Sequence, residues 1–258
     1  MLTRAQPTDR TERNRNAIIL ENVSKTFTAN RDDEVTAIAD VCLTVPTGQF
    51  LAVVGESGSG KSTLMHCAAG LSTPTAGSVT VHGTDLSAMG QDRRSRFRAR
   101  EIGFVFQEYN LVSSLTVAQN VELPARITPG LGHAERTPEV LATVGLGHRA
   151  HHLPHELSGG EQQRVALARV FATRPSIVFA DEPTSALDLG SSAHVLQHLR
   201  QLADEGSTVV MVTHDIDAAL WADRTVVMAH ARTVDDLAGP SRDQLVDRVM
   251  AAQQVTAK

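Results

Sequence analysis

The sequence has very little cysteine and no long apolar run. Only two cysteines occur in 258 residues, Cys42 and Cys67, which cannot build a disulfide framework and show no metal-ligand spacing. This composition fits a reducing compartment, and we expect a cytoplasmic protein. Apolar stretches such as Phe50–Val54 are far shorter than the roughly 20 residues that a membrane-spanning helix requires. Any role at a membrane is therefore expected to depend on a partner protein.

The sequence also lacks an excess of basic residues. Its 24 Lys and Arg against 29 Asp and Glu give a formal net charge of −5, so no overall positive field draws the chain to nucleic acid, and we expect no such partner. Residues 1–16 contain arginines but lack the apolar core of a signal peptide, and we interpret them as a disordered tail. Hydrophobic residues make up 41% of the chain, which is enough to bury a core.

Three short apolar runs each end in a polar cluster. They are Phe50–Val54 before Gly55, Ser176–Ala180 before Asp181 and Glu182, and Ser207–Thr213 before His214. Apolar runs without alternation are typical of strands that are buried on both faces of a parallel sheet. With helical composition between them, they predict an α/β fold whose polar residues gather at the sheet edge where such folds bind ligands.

The regions around this core differ in pattern. Short apolar pieces between 17 and 50, namely Ile18–Leu20, Val35–Ile38 and Val41–Val45, predict a subdomain of short antiparallel strands. A stretch of about 91–165 is more polar and helical, and we interpret it as a helical insertion. The main domain is expected over 17–235, and a C-terminal helix within 236–258.

A glycine-rich loop with a lysine lies between a predicted strand and a predicted helix. Its sequence, GESGSGKS from Gly55, fits the pattern G-x-x-x-x-G-K-[ST]. Glycines let the backbone curl so that N–H groups point at phosphate oxygens, and the following helix adds its dipole. We expect Lys61 to reach the β- and γ-phosphates and Ser62 to hold Mg²⁺. The loop residues expected to bind nucleotide are Gly55, Glu56, Ser57, Gly58, Ser59, Gly60, Lys61, Ser62 and Thr63.

Two carboxylates and a histidine follow the other two runs. Asp181 suits a Mg²⁺ shell, since a hard cation prefers oxygen ligands. Glu182 is then free to act as general base or to orient water, although carboxylate pairs after strands are also common on ordinary surfaces. His214 could donate a hydrogen bond to a γ-phosphate, while a lone histidine at a strand end is more often structural.

A second glycine-rich segment, LSGGEQQR, begins at Leu157. Ser158 and the glycines after it precede a predicted helix, Glu161–Thr173, and so offer a hydroxyl and bare amides at a second anion-binding helix start. One nucleotide has no need of two such cradles.

Together these segments resemble the ATP-binding cassette (ABC) ATPases over about residues 17–235. The family's motifs occur in order: the lysine loop at Gly55, a glutamine at Gln107, LSGGEQQR, FADEPTSALD over Phe179–Asp188, and VTHD over Val212–Asp215. The resemblance implies ATP and Mg²⁺ as ligands, and a head-to-tail dimer in which the signature of one copy closes on the nucleotide of the other. It further implies a membrane permease, with Glu108–Leu115 and the insertion after it receiving a cytoplasmic permease helix.

The resemblance also assigns roles to single residues. Phe27 stands where the family stacks an aromatic ring on adenine, and Asp188 lies in the loop that crosses the dimer interface. The implied catalytic residues are Lys61, Gln107, Glu182 and His214; the implied Mg²⁺ ligands are Ser62, Gln107 and Asp181; and the implied nucleotide contacts outside the lysine loop are Phe27, Gln107, Ser158, Gly159, Gly160, Asp188 and His214.

Three stretches, Ser62–Val79, Ile102–Pro124 and LDLGSS from Leu187, carry a finer resemblance to the cassettes of macrolide exporters, lipoprotein-releasing systems and cell division. This resemblance implies the cytoplasmic face of the inner membrane and a separate permease. Export, lipoprotein release and signalling without transport stay open, as does a soluble cassette acting on DNA or ribosomes. The sequence departs from the family at Val227–Arg232, which lacks the usual Asp-Gly turn.

Three further features have ordinary interpretations. The arginines between Arg93 and Arg100 could face lipid headgroups or nucleic acid, but a solvated helix is favoured. The histidines between His148 and His155 resemble a metal site without regular ligand spacing, so no metal is expected there. Trp221 is expected to pack in the core behind His214.

Overall fold

Ten strands and eight α-helices occur in the residues that the computed structural model describes, which are 15–30, 33–128, 131, 134–185 and 187–254. The strands are β1 (Asn16–Asn30), β2 (Asp33–Pro46), β3 (Phe50–Val54), β4 (Ala76–Val81), β5 (Thr84–Asp85), β6 (Ile102–Val105), β7 (Ile177–Asp181), β8 (Thr208–Thr213), β9 (Arg224–Ala229) and β10 (Arg232–Ala238). The helices are α1 (Lys61–Ala68), α2 (Gln91–Glu101), α3 (Val117–Ile127), α4 (Thr137–Thr143), α5 (Gly159–Thr173), α6 (Leu189–Asp204), α7 (Ile216–Ala219) and α8 (Arg242–Gln254).

The central sheet has six strands in the order β10-β9-β3-β8-β7-β6, and all of its neighbours except β9 and β10 are parallel. Every residue of β3 is buried. Alternate residues belong to two different cores, with Phe50, Ala52 and Val54 on one side and Leu51 and Val53 on the other. The sheet is therefore covered on both faces, and the predicted α/β fold with a mostly parallel sheet is confirmed.

The second sheet is antiparallel, with the strand order β2-β1-β4-β5. Two of the short strands predicted between 17 and 50 are in fact one, because β2 runs continuously through the turn-forming residue Asp40. Asp40 (φ 52°) and Asn22 (φ 51°) adopt left-handed conformations at register shifts of the pairing. The Asn22 amide donates a hydrogen bond of 2.7 Å to Asp40. Polar residues of the kind that predicts turns thus form β-bulges within a long pair of antiparallel strands.

The helical region predicted over about 91–165 contains α2, α3, α4 and the start of α5. It also contains β6, which pairs in parallel with β7 and so belongs to the central sheet. The loop between β6 and α3 is fastened by Asn120, which is fully buried. Its side chain accepts from the N–H of Val112 at 2.8 Å and donates to the carbonyls of Val112, Leu115 and Thr116.

Near the C-terminus, the hairpin of β9 and β10 forms without an Asp-Gly turn. His230 (φ 50°) and Ala231 (φ 63°) both adopt the left-handed conformation that a tight hairpin turn requires. The expectation for Trp221 is wrong, since its side chain is 38% exposed. Among the side chains of α8 that are described, Leu245 alone is fully buried, with Val249 and Ala252 partly buried against the same core. None of the described helices combines the length and hydropathy needed to cross a membrane.

Candidate functional site

The lysine loop connects β3 to the N-terminus of α1, and two of its glycines are required by close contacts. A Cβ on Gly55 (φ 153°) would lie 2.2 Å from the carbonyl oxygen of Met228, and one on Gly60 (φ 102°) would lie 2.2 Å from that of Ala37. No side chain fits at either position. The loop therefore brings bare backbone to the start of a helix, where the helix dipole favours an anion.

Lys61 is the first residue of α1, and its side chain folds back into the loop. It is 7% exposed, and its Nζ donates to the carbonyl oxygens of Gly55 at 2.8 Å and Glu56 at 2.7 Å. Burial lowers the pKa of Lys61, while nearby carboxylates, chiefly that of Glu182, oppose this shift. The loop thus encloses an ammonium group, the charge that a phosphate would neutralise.

Ser62, in the first turn of α1, and Asp181, at the end of β7, bring two oxygen ligands together. The Ser62 hydroxyl donates to Oδ1 of Asp181 at 3.2 Å. Burial raises the pKa of Asp181, and the hydrogen bond from Ser62 partly offsets this. A desolvated carboxylate gains stability from a nearby cation, and hydroxyl and carboxylate oxygens are the donors that Mg²⁺ prefers. These two residues fit the predicted metal ligands chemically.

Glu182 and His214 form a pair at the ends of β7 and β8. Nδ1 of His214 lies 2.9 Å from Oε2 of Glu182, and the His214 N–H approaches the same oxygen at 3.4 Å. Glu182 has a φ of 45°, and its N–H donates to the carbonyl of Val212 at 2.9 Å. A left-handed glutamate costs about 1–3 kcal/mol, and such strain is concentrated at functional sites. The left-handed backbone at Glu182 therefore turns this carboxylate away from the direction of β7.

Of the side chains just described, Lys61, Ser62, Glu182 and His214 line one cleft of about 780 Å³, and Asp181 is not part of its lining. The lining includes ten residues that the sequence predicted for the site, namely Phe27, Ser57, Gly58, Gly60, Lys61, Ser62, Thr63, Gln107, Glu182 and His214. The ring of Phe27 is 47% exposed at the rim, and the Lys25 ammonium lies 5.1 Å from its centroid. Residues from four distant parts of the chain thus surround the lysine loop.

Three further residues of the loop, which stay predicted nucleotide contacts, do not line this cleft. Gly55, Glu56 and Ser59 line a smaller cavity of about 130 Å³ behind the loop, against the end of β9 and α8. The Ser59 hydroxyl is buried without a hydrogen-bond partner. Ser57 and Gly58 line both cavities, so the loop is the wall between them.

The residues of LSGGEQQR do not line the cleft in the part of the chain that is described. Ser158 instead caps α5: its hydroxyl accepts from the N–H of Glu161 at 3.3 Å and donates to that carboxylate at 3.0 Å. Asp188 likewise lies outside the cleft and caps α6, accepting from the N–H of Ser191 at 2.9 Å. Both segments remain exposed helix starts on the surface of this chain.

The cleft also contains residues that the sequence did not single out. Val35, Thr36 and Ala37 of β2 line it opposite the lysine loop. These three residues contain no glycine and no cluster of polar side chains, so nothing in the local sequence distinguishes them from the rest of the strand. Their position follows from the packing of the antiparallel sheet on the central one.

Comparison with known proteins agrees with this geometry. A family model described as ABC transporter matches residues 38–185, more than half of the chain. The chain is 42% identical over 222 residues to the macrolide export ATP-binding/permease protein MacB of Hyphomonas neptunium, covering 85% of this chain and 34% of that protein. It is 41% identical over 230 residues to MacB of an Azoarcus species, covering 88% and 35%. The chain thus spans about a third of the length of these curated relatives.

Solved structures also match. The ATP-binding cassette MJ0796, as a dimer in a post-hydrolysis state bound to ADP and Pi, has a TM-score of 0.81 and 35% identity, covering 87% of this chain and 99% of that one. A second dimeric structure of MJ0796, described as a bacterial ABC transporter cassette, has a TM-score of 0.80 and 36% identity, with the same coverage. Because the family model, the motif order and the fold agree, the chain belongs to the ABC transporter family and has the fold of its ATP-binding cassettes.

Proposed function

We propose that the chain binds ATP with Mg²⁺ and hydrolyses it as one half of a head-to-tail dimer, driving a membrane permease at the cytoplasmic face of the inner membrane. The observation that carries this proposal is the single cleft around the lysine loop. It joins an enclosed ammonium (Lys61), a hydroxyl that bonds a partly buried carboxylate (Ser62 and Asp181) and a glutamate paired with a histidine (Glu182 and His214).

Each of these groups has a distinct task in the proposed reaction. Lys61 can exchange its bonds to loop carbonyls for bonds to phosphate oxygens, since its ammonium already lies inside the loop. Ser62 and Asp181 would hold Mg²⁺, which supplies charge neutralisation to the phosphates when bound. Glu182 would accept the proton of the attacking water. His214 would orient that carboxylate and donate toward the transferred phosphate.

The location of the signature supports the dimer. Ser158 and its two glycines are exposed or partly exposed at the start of α5, outside the cleft of their own chain. The N-terminus of α5 can bind an anion, but it lies outside the cleft where this chain would hold its own nucleotide. It therefore fits a role in binding the nucleotide of a second copy across an interface. The structures of MJ0796 that match this chain are dimeric, which supports the same arrangement.

A direct test measures phosphate release by the purified full chain. Hydrolysis should require both ATP and Mg²⁺, and EDTA should abolish it, because Asp181 and Ser62 would then have no cation to hold. A chain that binds ATP but hydrolyses it equally well in EDTA would remove the metal part of the proposal. A chain that binds no ATP would remove the whole of it.

The permease would dock in an apolar groove beside Gln107. The groove has a volume of about 230 Å³ between β6 and α3, and its lining includes Phe104, Phe106, Pro124 and Ile127. The side chain of Ile127 is 70% exposed. An amphipathic cytoplasmic helix of the permease fits such a groove by inserting apolar side chains. Since Gln107 follows Phe106 directly, this occupant would contact the segment that enters the nucleotide cleft.

Replacing Ile127 by glutamate should uncouple the permease while sparing basal hydrolysis. A charge in the groove would oppose docking because it would lose its water there. We expect basal ATP hydrolysis to stay unchanged and the stimulation by reconstituted permease to be lost. Val234→Glu, on the exposed face of β10 where Val234 is 48% exposed, is the matched control and should retain stimulation. Full stimulation of Ile127→Glu would place the docking surface elsewhere.

A further inference from the structure

The start of α5 already holds a negative charge, which belongs to the chain itself. Oε2 of Glu161 accepts hydrogen bonds from the backbone N–H of Ser158 at 2.9 Å and from its hydroxyl at 3.0 Å. The backbone N–H of Ser158 chiefly holds the pKa of Glu161 below its usual range; the Ser158 hydroxyl and Arg149 contribute, while burial opposes this shift. Glu161 is therefore ionised near neutral pH, and its carboxylate takes two donors that the signature would offer to a phosphate.

A second anion at this helix start would be repelled by the first. Like charges a few ångströms apart repel strongly where water is partly excluded, and the side chain of Glu161 is only 16% exposed. A phosphate would also compete with this carboxylate for the hydroxyl of Ser158. The bonds between Ser158 and Glu161 thus stabilise α5 but oppose phosphate binding unless the charge of Glu161 is neutralised.

Arg149 supplies the neutralising charge. Its Nε donates to Oε1 of Glu161 at 3.1 Å, from 12 positions earlier in the chain. Its Nη1 lies 3.2 Å from Nε2 of His152, and because a guanidinium can only donate, the ring nitrogen is the acceptor. The cap of a helix by serine and glutamate needs no such cation. These two bonds hold the guanidinium at the oxygen of Glu161 that does not bond Ser158.

We propose that Arg149 is a positioning residue that prepares the signature for the phosphate of the partner's nucleotide. This inference rests on the proposed function. While the dimer is open, Glu161 keeps the hydroxyl of Ser158. When the phosphate arrives, the hydroxyl rotates toward it and Arg149 neutralises the carboxylate that the hydroxyl has left. Without Arg149, the carboxylate would stay at Ser158 as an uncompensated charge that competes with the phosphate.

The effect of Arg149 should therefore depend on the charge of Glu161. Arg149→Met keeps an apolar stem and removes the charge, and we expect ATP-dependent dimerisation to weaken on the order of tenfold, because this pair is more buried than a surface pair. Arg149→Lys keeps the charge and should weaken dimerisation less.

Glu161→Gln removes the competing charge but keeps an oxygen acceptor for Ser158, so it should dimerise at least as well as the parent chain. The double variant with Arg149→Met should match Glu161→Gln alone, because no charge is left for Arg149 to neutralise. Such non-additivity is the mark of two residues that act on each other.

The experiment measures dimer mass by light scattering at increasing ATP. The parent is the full chain with Glu182→Gln, so that hydrolysis does not empty the sites, and the variants are added to it. Arg126→Met is the matched control: Arg126 pairs with Glu122 at 2.6 Å on α3, and loss of this pair should leave the ATP dependence unchanged. A fluorescent ATP analogue, bound at protein concentrations below dimerisation, gives the nucleotide-competent fraction. We expect this fraction to be equal in all variants because Arg149 does not line the cleft.

A merely structural role of Arg149 would lower the competent fraction, or the temperature of thermal unfolding, without changing the ATP dependence of the remaining molecules, and that result would overturn the inference. So would a double variant that dimerises as weakly as Arg149→Met. If Arg149→Met fails to fold, Arg149→Lys with and without Glu161→Gln carries the same comparison. A parent chain that forms no dimer with ATP would contradict the proposed function itself, whereas the two results above leave it intact.

Discussion

Replacing Glu182 by glutamine is expected to stop most ATP hydrolysis while leaving ATP binding intact. Glutamine has the size of glutamate, and its amide oxygen can still accept the hydrogen bond that Nδ1 of His214 makes at 2.9 Å. The geometry of the pair is kept, but an amide cannot accept the proton of the attacking water. Loss of a positioned acid–base group reduces a rate by about 10²–10⁴-fold. We therefore expect at least the lower end of this range.

Phosphate release measures the rate of ATP hydrolysis. Light scattering in the presence of ATP measures the molecular mass and so distinguishes monomer from dimer. Because closure would no longer be followed by hydrolysis, the ATP-bound dimer of Glu182→Gln should accumulate. Glu205→Gln is the matched control: this carboxylate is exposed at the end of α6 and accepts a hydrogen bond from Gln201 on the same helix, so turnover should be normal. Near-normal turnover of Glu182→Gln would remove Glu182 from the role of base.

Mixing two inactive variants is expected to restore ATP-dependent dimers. Lys61→Ala removes the ammonium from the lysine loop, and Ser158→Arg places a bulky cation at the signature. Homodimers of either variant carry a defect in both composite sites. In a mixed dimer one site collects both defects, whereas the other combines an unaltered Lys61 with an unaltered Ser158. One intact site should recover part of the dimerisation, and part of the hydrolysis, that neither variant shows alone.

Dimer mass with ATP is measured for each variant separately and for the mixture. Ser241→Arg provides the control for the loss of a helix cap, since Ser241 accepts from the N–H of Gln244 at 3.3 Å much as Ser158 caps α5. That loss costs about 1 kcal/mol of stability and should leave dimerisation with ATP in place. If Ser158→Arg alone hydrolyses ATP at the wild-type rate as a monomer, the signature does not serve a second copy.

The sequence predicted the lysine loop and its setting because the signals are local. The pattern from Gly55 to Ser62 follows a buried strand and opens a helix, and the structure has β3 and α1 at those places. Continuous apolar runs likewise identified β7 and β8, because strands covered on both faces contain no polar alternation. The signature helix was predicted from Glu161 and begins at Gly159, a difference within the range of helix-end assignment.

Other expectations failed where local composition competed with long-range pairing. Asp40 has the composition of a turn, yet pairing with β1 carries β2 through it as a bulge. Trp221 is a large apolar residue of a kind often found in cores, yet it is 38% exposed. For Asp40 the residues that decide the outcome belong to β1, a separate segment of the chain.

The sequence by itself determined the fold class, the lysine loop and the order of the family motifs. Each strand and each motif on which these depend is formed by residues within a few positions of one another. Only the tertiary structure decided which of these residues share a cleft. The strand order β3-β8-β7 brings Glu182 to His214, and the antiparallel sheet places Phe27 at the rim. The hydrogen bond from Arg169 to the carbonyl of Tyr109 joins residues 60 positions apart. No local sequence pattern predicts this bond, because it arises from the packing of separate segments.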